Sequence, residues 1–76
     1  MNNKSLENVI KYTELFDKYG NLLTQNQQQV FKLYYEQDLS YAEVAEVMAT
    51  SRQAATDAVN KAIHNLLKID EKMNKM

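Results

Sequence analysis

A chain with no proline and a single glycine, Gly20, has almost no means of making the repeated tight turns that strand-rich folds need. It can run in helices joined by short breaks, and its apolar residues recur at the three-and-four spacing of a helix face. The fold class expected is all-α, a small helical bundle. Seventy-six residues make one domain at most. A chain of that size buries only about 60–65% of the surface its unfolded form exposes, so the core is thin. Cysteine is absent, which removes disulfides and thiolate metal sites as braces. Helix packing, with a partner subunit or ligand, has to supply the bracing.

The apolar spacing predicts helices at about 5–19, 25–37, 41–48 and 52–69. In the first, Leu6, Val9, Ile10, Thr13 and Phe16 share a face, and Gly20 is expected to stop the helix with a positive φ. Leu22 and Leu23 are expected to pin the connection to the core. Thr24 with Gln27 fits a capping box; Val30, Leu33 and Tyr34 follow as the buried stripe, and the polar run Gln25-Asn26-Gln27-Gln28-Gln29 falls on a solvated first turn. Tyr34 and Tyr35, about 100° apart on a helix, are expected to sit one inside and one partly outside. Ser40 with Glu43 makes a second box, opening a helix with Ala42, Ala45, Met48 and Val44 inward and Glu43 and Glu46 outward. Ser51 caps the fourth helix, whose apolar face is Ala55, Val59, Ala62, Ile63, Leu66 and Ile69. Past Asp70 the helix is expected to fray.

The segment from Ser40 to about Lys68 reads as a helix-turn-helix. Two helices joined by a turn of about three residues cross steeply, and the second protrudes as a ridge whose polar start can enter a major groove. Ala45 supplies the small residue that a close crossing requires, and Ala55 faces it. Ala49 falls where the turn commonly needs left-handed backbone, which costs alanine about 1 kcal/mol or more. Thr50 stands where a buried aliphatic would pack, so a loose helix pair, or one tightened by a partner, is expected. The ridge carries Ser51, Arg52, Gln53, Thr56, Asn60 and Lys61. Arg52 can fork onto a guanine edge, and Gln53 or Asn60 can pair with adenine. The Ser51 hydroxyl, the amides of the helix start and Lys61 suit phosphates. Asp57 repels phosphate, although it can accept from a cytosine amine. The alternative is that Arg52 and Gln53 are simply polar first-turn residues.

Charge divides these possibilities. The net charge is −1, and a duplex binder usually presents a clear basic face. Residues 51–68 carry Arg52, Lys61 and Lys68 against Asp57, three bases less one acid. Residues 36–46 carry Glu36, Asp38, Glu43 and Glu46 against no base, which makes Glu43 and Glu46 candidates for contacting a basic protein partner. No catalytic residue, metal or cofactor is expected. His64 is the single histidine and has no cysteine or carboxylate pair to complete a metal site, Ser5, Ser40 and Ser51 have no histidine at a triad spacing, and a chain with one glycine has no phosphate loop. The five tyrosines suit core and interface packing, with stacking on single-stranded RNA bases as the alternative. No apolar run approaches the ~18–20 residues of a membrane span, and Met1-Asn2-Asn3-Lys4-Ser5 lacks a secretory pattern. A cytoplasmic binding protein, not an enzyme, is expected.

Leu15-Phe16-Asp17, Leu22-Leu23-Thr24, Leu33-Tyr34-Tyr35, Asp38-Leu39-Ser40, Glu43-Val44-Ala45-Glu46 and Ser51-Arg52-Gln53-Ala54 with Asp57 resemble, in order and spacing, the YlxM-like family. Its members are small bacterial helix-turn-helix proteins similar to region 4 of sigma factors and lacking a wing. The resemblance covers roughly residues 12–70. It implies a nucleic-acid-binding fold for DNA or RNA, a regulatory accessory role in the signal recognition particle pathway with components of that particle as partners, and a homodimer. The chain departs from the family pattern at Ala49, Thr50 and Ala55 in the turn and core, at Thr56 where an aromatic is common, and at Ala62 where a base is common. It also stops at Met76, before the longer acidic and helical tail that relatives often carry. These departures weigh on groove-reading DNA affinity more than on the fold.

Overall fold

The computed structural model describes residues 4–74, so Met1–Asn3 and the end at Met76 lie outside the described residues. Helix α1 spans Leu6–Tyr19 and ends in a single 3₁₀ turn, Gly20–Leu22. Helix α2, Gln25–Phe31, continues directly as a π-helical turn over Lys32–Glu36. Helix α3 is Tyr41–Val47 and helix α4 is Arg52–Met73. Among the described residues there is no strand.

Helix α4 is the hub: α1, α2 and α3 all pack against it. Ala55, Val59, Ala62, Ile63 and Leu66 form its buried face. They share one core cluster with Val30, Phe31 and Val44, which are almost completely enclosed. Each large aliphatic or aromatic side chain so enclosed contributes roughly 1.5–3 kcal/mol. The two alanines add little area, but their small size lets neighbouring backbones come close.

Helix α1 presents a different face from the one its apolar spacing predicts. Leu15 is its buried residue, flanked by Val9, Tyr12, Phe16 and Tyr19, whereas Leu6 and Ile10 stand exposed. Aromatic pairing accounts for the rotation. Phe16 stacks on Phe31 with centroids 4.4 Å apart, and Tyr12 meets Tyr35 edge-on at 6.0 Å; such pairs add to plain area burial. Thr13, expected on the inner stripe, donates its hydroxyl back to Val9 O at 2.6 Å. In the connection Leu23 is buried and Leu22 is exposed, so one leucine pins it rather than two. Gly20 is right-handed, with φ −56°, not the positive-φ stop expected. Glycine is needed there for space, because a Cβ would lie 3.0 Å from the Phe16 ring.

The Thr24 box forms only by half. The Thr24 hydroxyl accepts from the Gln27 amide at 3.1 Å, but the Gln27 side-chain oxygen accepts from Asn65 Nδ2 of α4, at 3.2 Å. Gln27 thus ties α2 to the hub instead of closing its own cap. The helix predicted over 25–37 changes register at Lys32, and the Gln37 amide donates to Lys32 O at 3.0 Å, the i→i+5 pattern of a π turn. The wider turn lets both Tyr34 and Tyr35 point inward, and both are buried.

Ser40 and Glu43 close a complete capping box on α3. Ala42 is exposed, and fully enclosed Val44 supplies the inward packing. After Val47 the chain makes a Schellman stop. The Thr50 amide donates to Ala45 O at 2.9 Å, the Ala49 amide donates to Glu46 O at 3.2 Å, and Ala49 carries φ 55°. Two separate helices therefore flank residue 50. Thr50 is exposed rather than packed. Helix α4 does not fray at Asp70; it runs to Met73, with Ile69 against the core and Asn74 Nδ2 donating to Asp70 at 2.8 Å.

Candidate nucleic-acid interface

Because Ala55, Val59, Ala62, Ile63 and Leu66 fix the inner face of α4, its 100°-per-residue rotation turns Gln53, Asp57, Asn60, Lys61 and His64 outward. All five are exposed. Ser51 and Arg52 are exposed as well, at the helix start, where the Ser51 hydroxyl accepts from the Ala54 amide at 3.1 Å. Of the six ridge residues, Thr56 stands apart. It is half-buried and its hydroxyl donates to Arg52 O at 2.8 Å, so its donor is committed to its own helix.

Two open grooves flank this ridge. One, of about 380 Å³, is lined by Thr24, Asn26 and Gln27 together with Ala54, Asp57, Ala58 and Lys61 of α4. The other, of about 450 Å³, lies at the start of α4 and is lined by Lys4, Tyr34, Ser40, Tyr41, Ala42 and Arg52. Lys4 is the residue that sequence reasoning missed. Its ammonium donates to Leu39 O at 2.7 Å, pairs with Asp38 at 3.2 Å and sits 4.2 Å above the Tyr34 ring. Nothing local signals this, since its partners lie thirty or more residues along the chain.

The Tyr34 ring stacks on Tyr41 with centroids 4.4 Å apart. Burial pushes the Tyr34 phenol well above its ordinary range, aided by the hydrogen bond and the charge of Tyr41. Tyr35 is raised in the same direction, by burial first and then by the neighbouring Tyr34, Tyr41 and Tyr12. Both phenols stay neutral around neutral pH. The other three tyrosines, Tyr12, Tyr19 and Tyr41, are half-buried against the core. The Tyr12, Tyr34, Tyr35 and Tyr41 rings pack on one another rather than lying open as a stacking platform.

On the outer side of α3, Glu43 and Glu46 are exposed, as is Val47 at 55%. The two acids differ in their commitments: a Glu43 carboxylate oxygen accepts from the Ser40 amide at 2.9 Å as part of the cap.

A family described as "Putative helix-turn-helix protein, YlxM / p13 like" matches residues 6–76. The chain belongs to this family. Among YlxM/p13-like relatives, a UPF0122 protein of Clostridium kluyveri is 45% identical over 71 residues, covering 93% of this chain and 64% of the relative. One of Clostridium perfringens is 46% identical over 68 residues, covering 90% and 61%. A more distant one, of Mycoplasma capricolum, is 35% identical over 74 residues, covering 97% and 66%. The chain thus spans somewhat less than two thirds of the length of its clostridial YlxM/p13-like relatives. No solved structure matches it. Among the described residues no helix is long and apolar enough to cross a membrane.

Proposed function

We propose that this YlxM/p13-like protein is a nucleic-acid-binding regulatory protein that lays the first half of α4 in the major groove of duplex DNA. The observation that carries the reading is the outward row of Gln53, Asn60 and Lys61 beside exposed Ser51 and Arg52, on a helix whose opposite face is locked into the core. Arg52 and Lys61 supply charge, while Gln53 and Asn60 offer amides to base edges. DNA is favoured over duplex RNA because the major groove of A-form RNA is too narrow to admit a helix. With two to three phosphates neutralised, affinity for a fluorescent duplex should fall about 10- to 40-fold between roughly 50 and 200 mM salt. Gln53→Ala and Asn60→Ala should change which sequences are preferred. Salt-independent affinity, or none, from a folded sample would remove the reading.

The proposal extends to the place of action. Family resemblance supports a cytoplasmic accessory role in the signal recognition particle pathway, and a pull-down split between nuclease-treated and untreated halves tests whether components of that particle are captured through nucleic acid. The exposed pair Leu6 and Ile10, one turn apart on α1, supports a homodimer; a monomeric mass by light scattering at high concentration contradicts it. Exposed Val47 beside Glu46 favours a second reading, an adaptor that binds a basic partner protein through the acidic 36–46 surface without touching DNA. Glu46→Lys tests it more cleanly than reversal of Glu43, which would also break the α3 cap. Retained partner capture by Glu46→Lys, with loss in Arg52→Ala, would sink the adaptor.

A further inference from the structure

The groove at the start of α4 differs chemically from its companion. Its lining holds two cations, Lys4 and Arg52, three hydroxyl-bearing residues, Ser40, Tyr34 and Tyr41, and the methyl of Ala42. No carboxylate is among these lining residues, although the chain has more acids than bases and Asp38 abuts the groove through its 3.2 Å pair with Lys4. The companion groove, by contrast, includes Asp57. Cations with serine and tyrosine hydroxyls are the side chains that proteins use on phosphodiester oxygens, and about 450 Å³ is ample for a phosphate and its sugar.

We infer that this groove holds a backbone phosphate of the bound duplex, between Lys4 and Arg52. The inference rests on the duplex-binding reading above and deepens it. Arg52 becomes a positioning contact to the backbone rather than a reader of guanine, leaving sequence preference to Gln53 and Asn60. The footprint also extends from α4 onto Lys4, two residues before α1. Lys4 is held in place from two sides: Leu39 O fixes its ammonium and the Tyr34 ring lies beneath it. Its ion pair with Asp38 is the contact a phosphate oxygen can supplant, because the Asp38 side chain is 87% exposed and such pairs are weakly held.

The test is titration of fluorescent DNA duplexes of several sequences with the full chain over a range of salt. Lys4→Gln and Arg52→Gln should each weaken binding to every duplex alike, by a factor of about five, and each should flatten the plot of log affinity against log salt by about 0.9. Lys4→Arg should keep the wild-type slope. Asp38→Asn is the decisive variant, since asparagine tolerates left-handed backbone as aspartate does and the change removes only the competing charge. The inference expects tighter binding from it. If Lys4 merely braced the fold, loss of its ion pair would weaken binding instead. Should Lys4→Gln keep wild-type affinity and slope while Gln53→Ala and Asn60→Ala change sequence preference, the groove is no phosphate site and the α4 reading stands. If the wild type shows no salt-dependent binding to any duplex, both fall together.

Discussion

Among the described residues Asp38 and Ala49 are the two non-glycine residues with positive φ, at 56° and 55°, and they carry that conformation on unequal terms. Aspartate visits the left-handed region readily, and Asp38 also pairs with Lys4 there. Alanine has no such compensation: its Cβ crowds the following carbonyl, at a cost of about 1–2 kcal/mol. Glycine removes that cost but gives up about 0.4–1 kcal/mol of chain entropy on folding. Ala49→Gly should therefore stabilise the protein by about 0.5–1 kcal/mol, raising the melting temperature by roughly 2–8 °C in a domain this small. A circular-dichroism melt reads this directly, and a lower melting temperature would mean that the Schellman turn is not under strain. The need at Ala49 was legible in the sequence, because the neighbouring caps place a turn there. The left-handed Asp38 was not, since it follows from the π turn before it. Gly20 was misread for a related reason. Its identity answers to the Phe16 ring across a turn rather than to its own backbone.

At the scale of elements, what the sequence disclosed were the features decided within four residues. Thr24, Ser40 and Ser51 each cap the helix that follows, through a hydroxyl accepting the amide three residues on. What it did not disclose were choices settled from a distance. The face α1 turns inward is chosen by Phe31 and Tyr35, and the Gln27 side chain is drawn away by Asn65, thirty-eight residues along. That contrast makes a prediction. The Ser40 cap forms both halves of its box, whereas the Thr24 cap forms one. Ser40→Ala should cost about 1–2 kcal/mol, and Thr24→Ala about 0.5–1 kcal/mol. Urea unfolding monitored at constant m separates them. An equal shift in midpoint would show that the Glu43 reach-back adds nothing to α3.

Across the whole molecule, contact runs through rings. Phe16 stacks on Phe31, Phe31 meets Tyr35 at 4.8 Å, Tyr35 meets Tyr34 at 4.9 Å, and Tyr34 stacks on Tyr41. This ladder joins α1, α2, the π turn and α3, and Lys4 sits over Tyr34, its next-to-last ring. The outward ridge of the candidate site was legible from the period of α4 alone, but the groove beside it was not, because Lys4 reaches it through contacts to Tyr34, Asp38 and Leu39, thirty or more residues along the chain. The ladder also fixes how the fold answers to alkali. The Tyr34 and Tyr35 phenols are raised above the ordinary tyrosine value of about 10, chiefly by burial. In the unfolded chain they ionise near that value, while in the fold they hold their protons to higher pH. Above about pH 10 the folded state therefore binds more protons than the unfolded one, and stability falls as pH rises. Their contribution is fully present below about pH 10 and is lost progressively above it, until the folded groups themselves ionise. Urea titrations at stepped pH should show stability falling beyond about pH 10, and Tyr35→Phe should make that fall shallower while lowering stability at neutral pH. Lysines also lose their charge in that range, so the Tyr35→Phe comparison decides the cause. An alkaline slope identical to wild type would mean that the buried phenols do not control it.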